Sequence, residues 1–124
     1  MQFELLKDKY PVYTTAIAKT KSMDELVDFF QNKIETHPVA VIISVFDHYT
    51  HTSAKEDAKI AENIKDVKII VFCFGKEIPN AKIPAVRPRN ISIVETDENF
   101  VISFLTAPNE QLNKIMIEWV KELA

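Results

Sequence analysis

Two segments of the chain repeat apolar residues at helical spacing. The first begins at a capping box formed by Ser22 and Glu25, in which each side chain can satisfy a free backbone N–H of the first helical turn. Its apolar positions, which recur until Pro38 ends the helix, are Met23, Leu26, Val27, Phe30 and Ile34. Those of the second, C-terminal segment are Leu112, Ile115, Met116, Trp119, Val120 and Leu123. Each pattern predicts a long amphipathic helix that buries one face.

The remaining apolar segments have the composition of strands, with β-branched and aromatic residues and no helical spacing. The predicted strands are residues 12–19, 39–46, 67–74, 90–96 and 99–106, of which 39–46 is expected to be buried and the last two form a hairpin. A second capping box, from Ser53 to Glu56, predicts a short helix that continues towards Ile64. The order β-α-β-(short α)-β-β-β-α predicts an α+β fold, with a mostly antiparallel sheet of about five strands and two long helices packed on one face.

The alternation of side chains along the strands predicts what each face of the sheet carries. With the hairpin turning at residues 97–98, Ser92 lies opposite Ser103, and Ile93 meets Ile102 on the other, helix-covered face. The same alternation along the strand of residues 39–46 places His48, just after its end, on the face that carries Ser92 and Ser103. That face is half apolar, so either a partner subunit covers it or it lines a ligand cavity, and we favour a homodimer.

The composition of the chain argues against several classes of protein. With 124 residues, 47% of them hydrophobic, the chain is predicted to form a single α+β domain, residues 1–124. A net charge of −3 gives no basic surface for nucleic acid, and no apolar run is long enough to span a membrane. One glycine, Gly75, is too few for a Rossmann or P-loop phosphate site, and one cysteine fits a reducing, cytoplasmic location.

Candidate chemistry is concentrated in residues 45–52, which read V-F-D-H-Y-T-H-T at the end of a predicted strand. His48 and His51 have a spacing that can bind a transition metal, with Asp47 or Cys73 completing the ligand set. The alternative is that Asp47 caps the strand end and the aromatic rings pack. We consider the metal spacing incidental and predict that His48 contacts a small molecule.

Cys73 and two arginines complete the candidate residues. Cys73 lies in a predicted strand, where a thiol usually only packs, and a catalytic role would need His48 as its base. Arg87 and Arg89 flank Pro88 on an extended segment, so alternation directs only one of them to any pocket. That arginine could bind a carboxylate or phosphate, although an ion pair with a carboxylate of the hairpin (Glu95, Asp97 or Glu98) is the favoured interpretation.

The second half of the chain resembles an uncharacterised bacterial family, domain of unknown function number three hundred and two. The matching features are Asp47-His48, Phe74-Gly75, Pro88 before the hairpin and Pro108 after it. The chain departs from that family at Lys76-Glu77 and at the two arginines beside Pro88. The resemblance implies a fold like that of the TATA-box-binding protein, and dimerisation, but no activity.

These observations predict a homodimeric binding or assembly module with a small-molecule pocket near His48, and they specify no cofactor. The alternative is a metal- or cysteine-dependent enzyme that uses His48, His51 and possibly Cys73. The candidate pocket residues are Phe46, Asp47, His48, Tyr49, His51, Cys73, Arg87 and Arg89.

Overall fold

Six antiparallel strands and three α-helices make up the fold in the computed structural model, which describes residues 1–123. In chain order the elements are β1 (Gln2–Leu6), β2 (Tyr10–Ala18), α1 (Met23–Glu35), β3 (Val41–Asp47), α2 (His48–Ser53), β4 (Ile64–Cys73), a 3-10 helix (Ile83–Val86), β5 (Arg89–Thr96), β6 (Asn99–Leu105) and α3 (Glu110–Lys121). The strand order is β1-β2-β6-β5-β4-β3. The predicted α+β class with an antiparallel sheet is confirmed, but there are six strands and the chain begins with an additional one.

The hydrophobic core lies between one face of the sheet and the helices α1 and α3. The predicted capping box is present, because Ser22 Oγ accepts a hydrogen bond from the Glu25 N–H and Glu25 Oε1 accepts one from the Ser22 N–H, both 3.1 Å long. The predicted apolar stripes pack into the core. Their buried members are Met23, Leu26, Phe30, Ile34, Met116, Trp119 and Val120, and the partly buried ones are Val27, Leu112, Ile115 and Leu123. Both long helices therefore form where their apolar periodicity predicts them.

The predicted register of the β5–β6 hairpin is confirmed. Ser92 pairs with Ser103, and Ile93 with Ile102. Both isoleucines are fully buried against the helices, whereas both serines lie on the opposite face, which we call the open face. The alternation of side chains along this hairpin therefore determines which residues face the helices and which lie on the open face.

The strand β1 was not predicted, because its connection to β2 lacks the usual turn residues. Lys7 and Asp8 have φ angles of 52° and 58°, and the Lys9 N–H donates to the Leu6 carbonyl over 3.0 Å. Tight hairpin turns with two positive φ angles normally use Asn-Gly or similar pairs. A Lys-Asp turn gives little signal in the sequence.

The prediction that residues 39–46 form a buried strand is wrong. β3 is an edge strand, and Val41 and Ile43 are 64% and 57% exposed. A bulge between Ile42 and Ser44 also breaks the simple alternation along the strand. Apolar composition alone therefore did not distinguish an edge strand from a central one.

The prediction of a helix that starts at Ser53 is also wrong, because Ser53 ends a helix there. The short helix is α2, and the Ser53 hydroxyl donates backwards to the Thr50 carbonyl over 3.3 Å. Further on, Asp57 has a φ of 59°, which an α-helix cannot contain. His48 consequently begins a helix and does not continue the alternation of β3.

Candidate functional site

The eight candidate pocket residues fall into two groups at opposite ends of the β3–β4 pair. Asp47 pairs with Lys68, whereas Val41, at the other end of β3, pairs with Cys73. Six residue steps along a strand cover roughly 20 Å. The hypothesis of a catalytic Cys73–His48 pair is therefore wrong, since the thiol and the imidazole lie far beyond hydrogen-bond reach.

At the first end, Asp47 is the N-cap of α2. Its carboxylate accepts hydrogen bonds from the Thr50 N–H and hydroxyl at 3.1 and 2.9 Å, and the Lys68 ammonium lies 3.2 Å away. The backbone hydrogen bond from Thr50 is the main reason why the pKa of Asp47 is lowered. Burial acts to lower the pKa of Lys68, but hydrogen bonds with Asp47 and Asp66 raise it overall. The predicted capping role of Asp47 is confirmed, with a helix as the capped element.

The two histidines of this end pack against Phe46. The His48 ring stacks on Phe46, and His51 meets the same ring edge-on, each with a centroid distance of 5.2 Å. His48 Nδ1 also lies 3.1 Å from the Thr52 hydroxyl. Within residues 1–123, no group of three or more His, Cys, Asp or Glu side chains is placed to hold a metal ion. The geometry thus gives both imidazoles a packing role.

A small cavity of about 220 Å³ lies beside this cluster. It is lined by His48, Tyr49, Thr52, Lys59, Ile60, Ala61, Ile64 and Val67. Cavities that bind drug-sized molecules usually measure about 300–1,000 Å³. The space next to His48 is therefore small for the ligand that the sequence led us to expect there.

The second group surrounds a larger cavity of about 530 Å³, which we call the arginine cavity. It lies between the end of β4, the loop of residues 76–88 and the start of α3. Its lining consists of residues 73–77, Pro79, Ile83, Val86, Arg87, Arg89, residues 107–109 and Leu112. Candidate residues Cys73, Arg87 and Arg89 are therefore brought together here.

Arg89 is the buried cation of the arginine cavity. The side chain is only 8% exposed, and its Nε and Nη1 atoms are enclosed without a hydrogen-bond partner among the described residues. Desolvation lowers the pKa of this guanidinium, although arginine still stays charged at neutral pH. Buried charges in proteins are normally paired, so this guanidinium is an exception that calls for a partner.

Arg87 lines the same cavity, but its guanidinium is held by a hydrogen bond. Its Nη1 donates to the Glu77 carbonyl over 2.7 Å. Gly75 leaves room for this guanidinium, because a Cβ atom at that position would come within 2.7 Å of Nη1. Arg87 also lines an adjoining groove of about 700 Å³, which shares Cys73 with the arginine cavity.

The predicted ion pairs between these arginines and the hairpin carboxylates are wrong. Glu95 pairs with Lys19 at 2.8 Å, and Asp97 pairs with Lys65 at 3.3 Å. The expectation that only one of the two arginines faces a pocket is wrong too, since both line the arginine cavity. The alternation of side chains along β5 could have indicated that Arg89 is buried. Arg89 lies an even number of residues before the buried Ile91 and Ile93, so the three side chains point to the same face of the sheet.

Asn113 is a second buried polar residue, and the sequence gave no reason to single it out. It is 1% exposed, and its side-chain amide binds both polar groups of the Ala107 backbone, accepting from N–H at 2.7 Å and donating to C=O at 3.0 Å. Ala107 belongs to the wall of the arginine cavity. Asn113 therefore fixes the segment that connects β6 to α3.

None of the helices in the described part of the chain, residues 1–123, is both long and apolar enough to cross a membrane.

Comparison with known proteins gives a family but no activity. No curated protein and no solved structure matches the chain, so the expected likeness to the TATA-box-binding protein stays a prediction. One family model, described as "Family of unknown function (DUF6858)", matches residues 1–124. The predicted membership of domain of unknown function number three hundred and two is therefore wrong, because the family model that matches the whole chain is a different one. The chain belongs to family DUF6858.

Proposed function

We propose that this protein is a small-molecule-binding domain whose ligand occupies the arginine cavity. The single observation that carries this proposal is the buried, unpartnered Arg89 guanidinium in the wall of a cavity of ligand size. The lining combines a few polar groups with many apolar ones, which is typical of binding sites for small molecules. This location replaces the pocket that we expected beside His48.

Binding is favoured over catalysis because the polar groups near His48 are engaged in structural contacts. Asp47 caps α2, and both histidines pack on Phe46. Cys73 lies at the other end of the β3–β4 pair and lines the arginine cavity without a histidine among the lining residues. The histidine that the cysteine-dependent alternative needs as its base is therefore absent from the lining of this cavity.

A tryptophan scan of the two cavities tests the location. Val86→Trp should fill the arginine cavity, because Val86 lines it and is 39% exposed, so the larger ring can be placed without disturbing the core. Ile60→Trp is the matched control in the cavity beside His48. Binding of a mixed set of charged and neutral fragments is measured by ligand-observed NMR. We expect Val86→Trp to abolish the binding signals and Ile60→Trp to preserve them. The reverse pattern, or no fragment binding to the unaltered protein, would contradict the proposal.

We also propose that the open face of the sheet is the interface of a homodimer. Its hydroxyl groups bond within the sheet, with Thr14 Oγ1 2.7 Å from Ser103 Oγ and the Ser92 hydroxyl donating to the Ser103 carbonyl over 3.1 Å. The face therefore presents less polarity than its composition indicates, and the paired Val94 and Val101 contribute apolar surface. Burial of such a face against a second copy is the commonest solution.

Light scattering coupled to size-exclusion chromatography tests the dimer. The unaltered protein should have twice the 14.2 kDa mass of the chain, and Val101→Lys should give the monomer mass because it introduces a charge into the interface. Glu98→Lys, at the exposed hairpin turn, is the control that should stay dimeric. A monomeric unaltered protein would rule out the dimer without affecting the proposed ligand site.

A further inference from the structure

We propose that the ligand of the arginine cavity is an organic anion, a carboxylate or phosphoryl compound with an apolar body, and that Arg89 binds its anionic group. This inference rests on the proposed function, because it names the chemical class of the ligand. Nη2 of Arg89 is not among the enclosed, unpartnered atoms, whereas Nε and Nη1 are. An anion that approaches Nη2 can accept a charge-assisted hydrogen bond from it, and bidentate binding would also need Nε or Nη1 to become accessible.

The charges around the cavity favour an anionic ligand. The lining includes three cationic side chains, Lys76, Arg87 and Arg89, and one acidic side chain, Glu77. The chain as a whole has a net charge of −3, so this local excess of positive charge runs against the overall balance. Clefts lined by charges of one sign concentrate ligands of the opposite sign. The start of α3 lies in the same wall, where the helix dipole adds partial positive charge.

The rest of the lining indicates that the ligand has an apolar body. Pro79, Ile83, Val86 and Leu112 line the cavity together with the charged residues. An inorganic ion would leave this apolar surface uncovered, whereas an aliphatic or aromatic acid would bury it while its anionic group reaches Arg89. The predicted ligand is therefore amphipathic.

Glu77 is the competing internal partner for Arg89. Glu77 lines the same cavity and carries its only acidic side chain. The structure places no ion pair between Glu77 and Arg89, and the hydrogen bond to Arg87 uses the Glu77 carbonyl oxygen. If Glu77 competes with the ligand, Glu77→Gln should tighten anion binding.

Isothermal titration with matched pairs of acids and neutral analogues tests the inference. The probes are benzoate against benzamide, hexanoate against hexanamide, and phenyl phosphate against phenol, with inorganic phosphate and sulfate titrated alone. We expect the acids to bind and the neutral analogues to bind at least about tenfold more weakly, because a charge-assisted hydrogen bond is lost. Arg89→Met should weaken acid binding by about 10- to 100-fold, and Arg89→Lys, which retains the charge without the planar fork, should fall in between. Lys59→Met, beside the smaller cavity, is the control that should leave binding unchanged.

Four outcomes would overturn the inference. If neutral analogues bind as tightly as acids, or if both Arg89 variants keep the affinity for acids, the ligand is not an anion held by Arg89, although the arginine cavity remains a binding site. If only inorganic phosphate or sulfate binds, the site holds an adventitious ion only. If no probe binds, charged or neutral, the proposed function fails together with the inference.

Discussion

Asn113→Ala is expected to lower the free energy of unfolding by about 3 kcal/mol, because each buried backbone group that loses its partner costs about 1–3 kcal/mol. The Asn113 side chain is the hydrogen-bond partner of both the N–H and the C=O of Ala107, which is itself 6% exposed. Alanine would leave both groups enclosed and unpaired. The gain in helix propensity from alanine is small and does not offset this loss.

Urea denaturation measures this effect, and the chain offers a matched control. Asn32 is an exposed residue of α1, so Asn32→Ala makes the same substitution in a helix without breaking a buried contact. It should change the free energy of unfolding by less than about 0.5 kcal/mol. Equal effects of the two substitutions would show that Asn113 does not hold the connection between β6 and α3.

Arg89→Met is expected to stabilise the ligand-free protein by about 2 kcal/mol. A buried charge without a partner is costly, and replacing even a buried ion pair by apolar side chains of similar volume is often neutral or stabilising by about 1–4 kcal/mol. Methionine is flexible enough to fill the space left by the arginine stem, which precedes Ile91 and Ile93 on the buried side of β5. The same variant is expected to bind anions more weakly, so stability and binding should change in opposite directions.

Chemical denaturation in chloride buffer, without organic acids, phosphate or sulfate, tests this gain. Arg87→Met is the comparison, because it removes the hydrogen bond to the Glu77 carbonyl and should not stabilise the protein. A loss of more than about 1 kcal/mol in Arg89→Met would mean that the guanidinium has a structural partner in solution. Arg89 would then be part of the scaffold and not a binding residue.

Much of the fold could be predicted because its strongest determinants are local. The capping box at Ser22 and the apolar stripes predicted α1 and α3. The alternation of side chains on either side of a turn at residues 97–98 predicted the register of the β5–β6 hairpin. Each of these features depends on the spacing of residues close together in the chain. Local patterns of this kind carry over directly into the structure.

The errors arose where tertiary context decides. The predicted N-cap, Ser53, was overridden by Asp47, which is the N-cap of a helix and lies six residues earlier. The exposure of β3 depends on its place at the sheet edge, which only the strand order determines. For the same reason, no pattern in residues 45–52 shows that their histidines pack on Phe46 and lie far from Cys73.

The residues of the candidate site could be predicted in part, but their arrangement could not. Cys73, Arg87 and Arg89 were singled out by residue type, but their grouping around one cavity depends on how the loop of residues 76–88 folds against the start of α3. The burial of Arg89 could have been predicted by extending the parity of β5 back from Ile91. The absence of a partner for its guanidinium could not, because it depends on every neighbouring side chain.

A crystal structure of the protein grown with benzoate would test most directly whether the arginine cavity is an anion-binding site. We predict benzoate in this cavity, with a carboxylate oxygen about 2.7–2.9 Å from the Arg89 guanidinium and its ring against the apolar lining near Val86. Benzoate bound beside His48 or on the protein surface, or an Arg89 guanidinium paired with Glu77 in an empty cavity, would contradict this assignment.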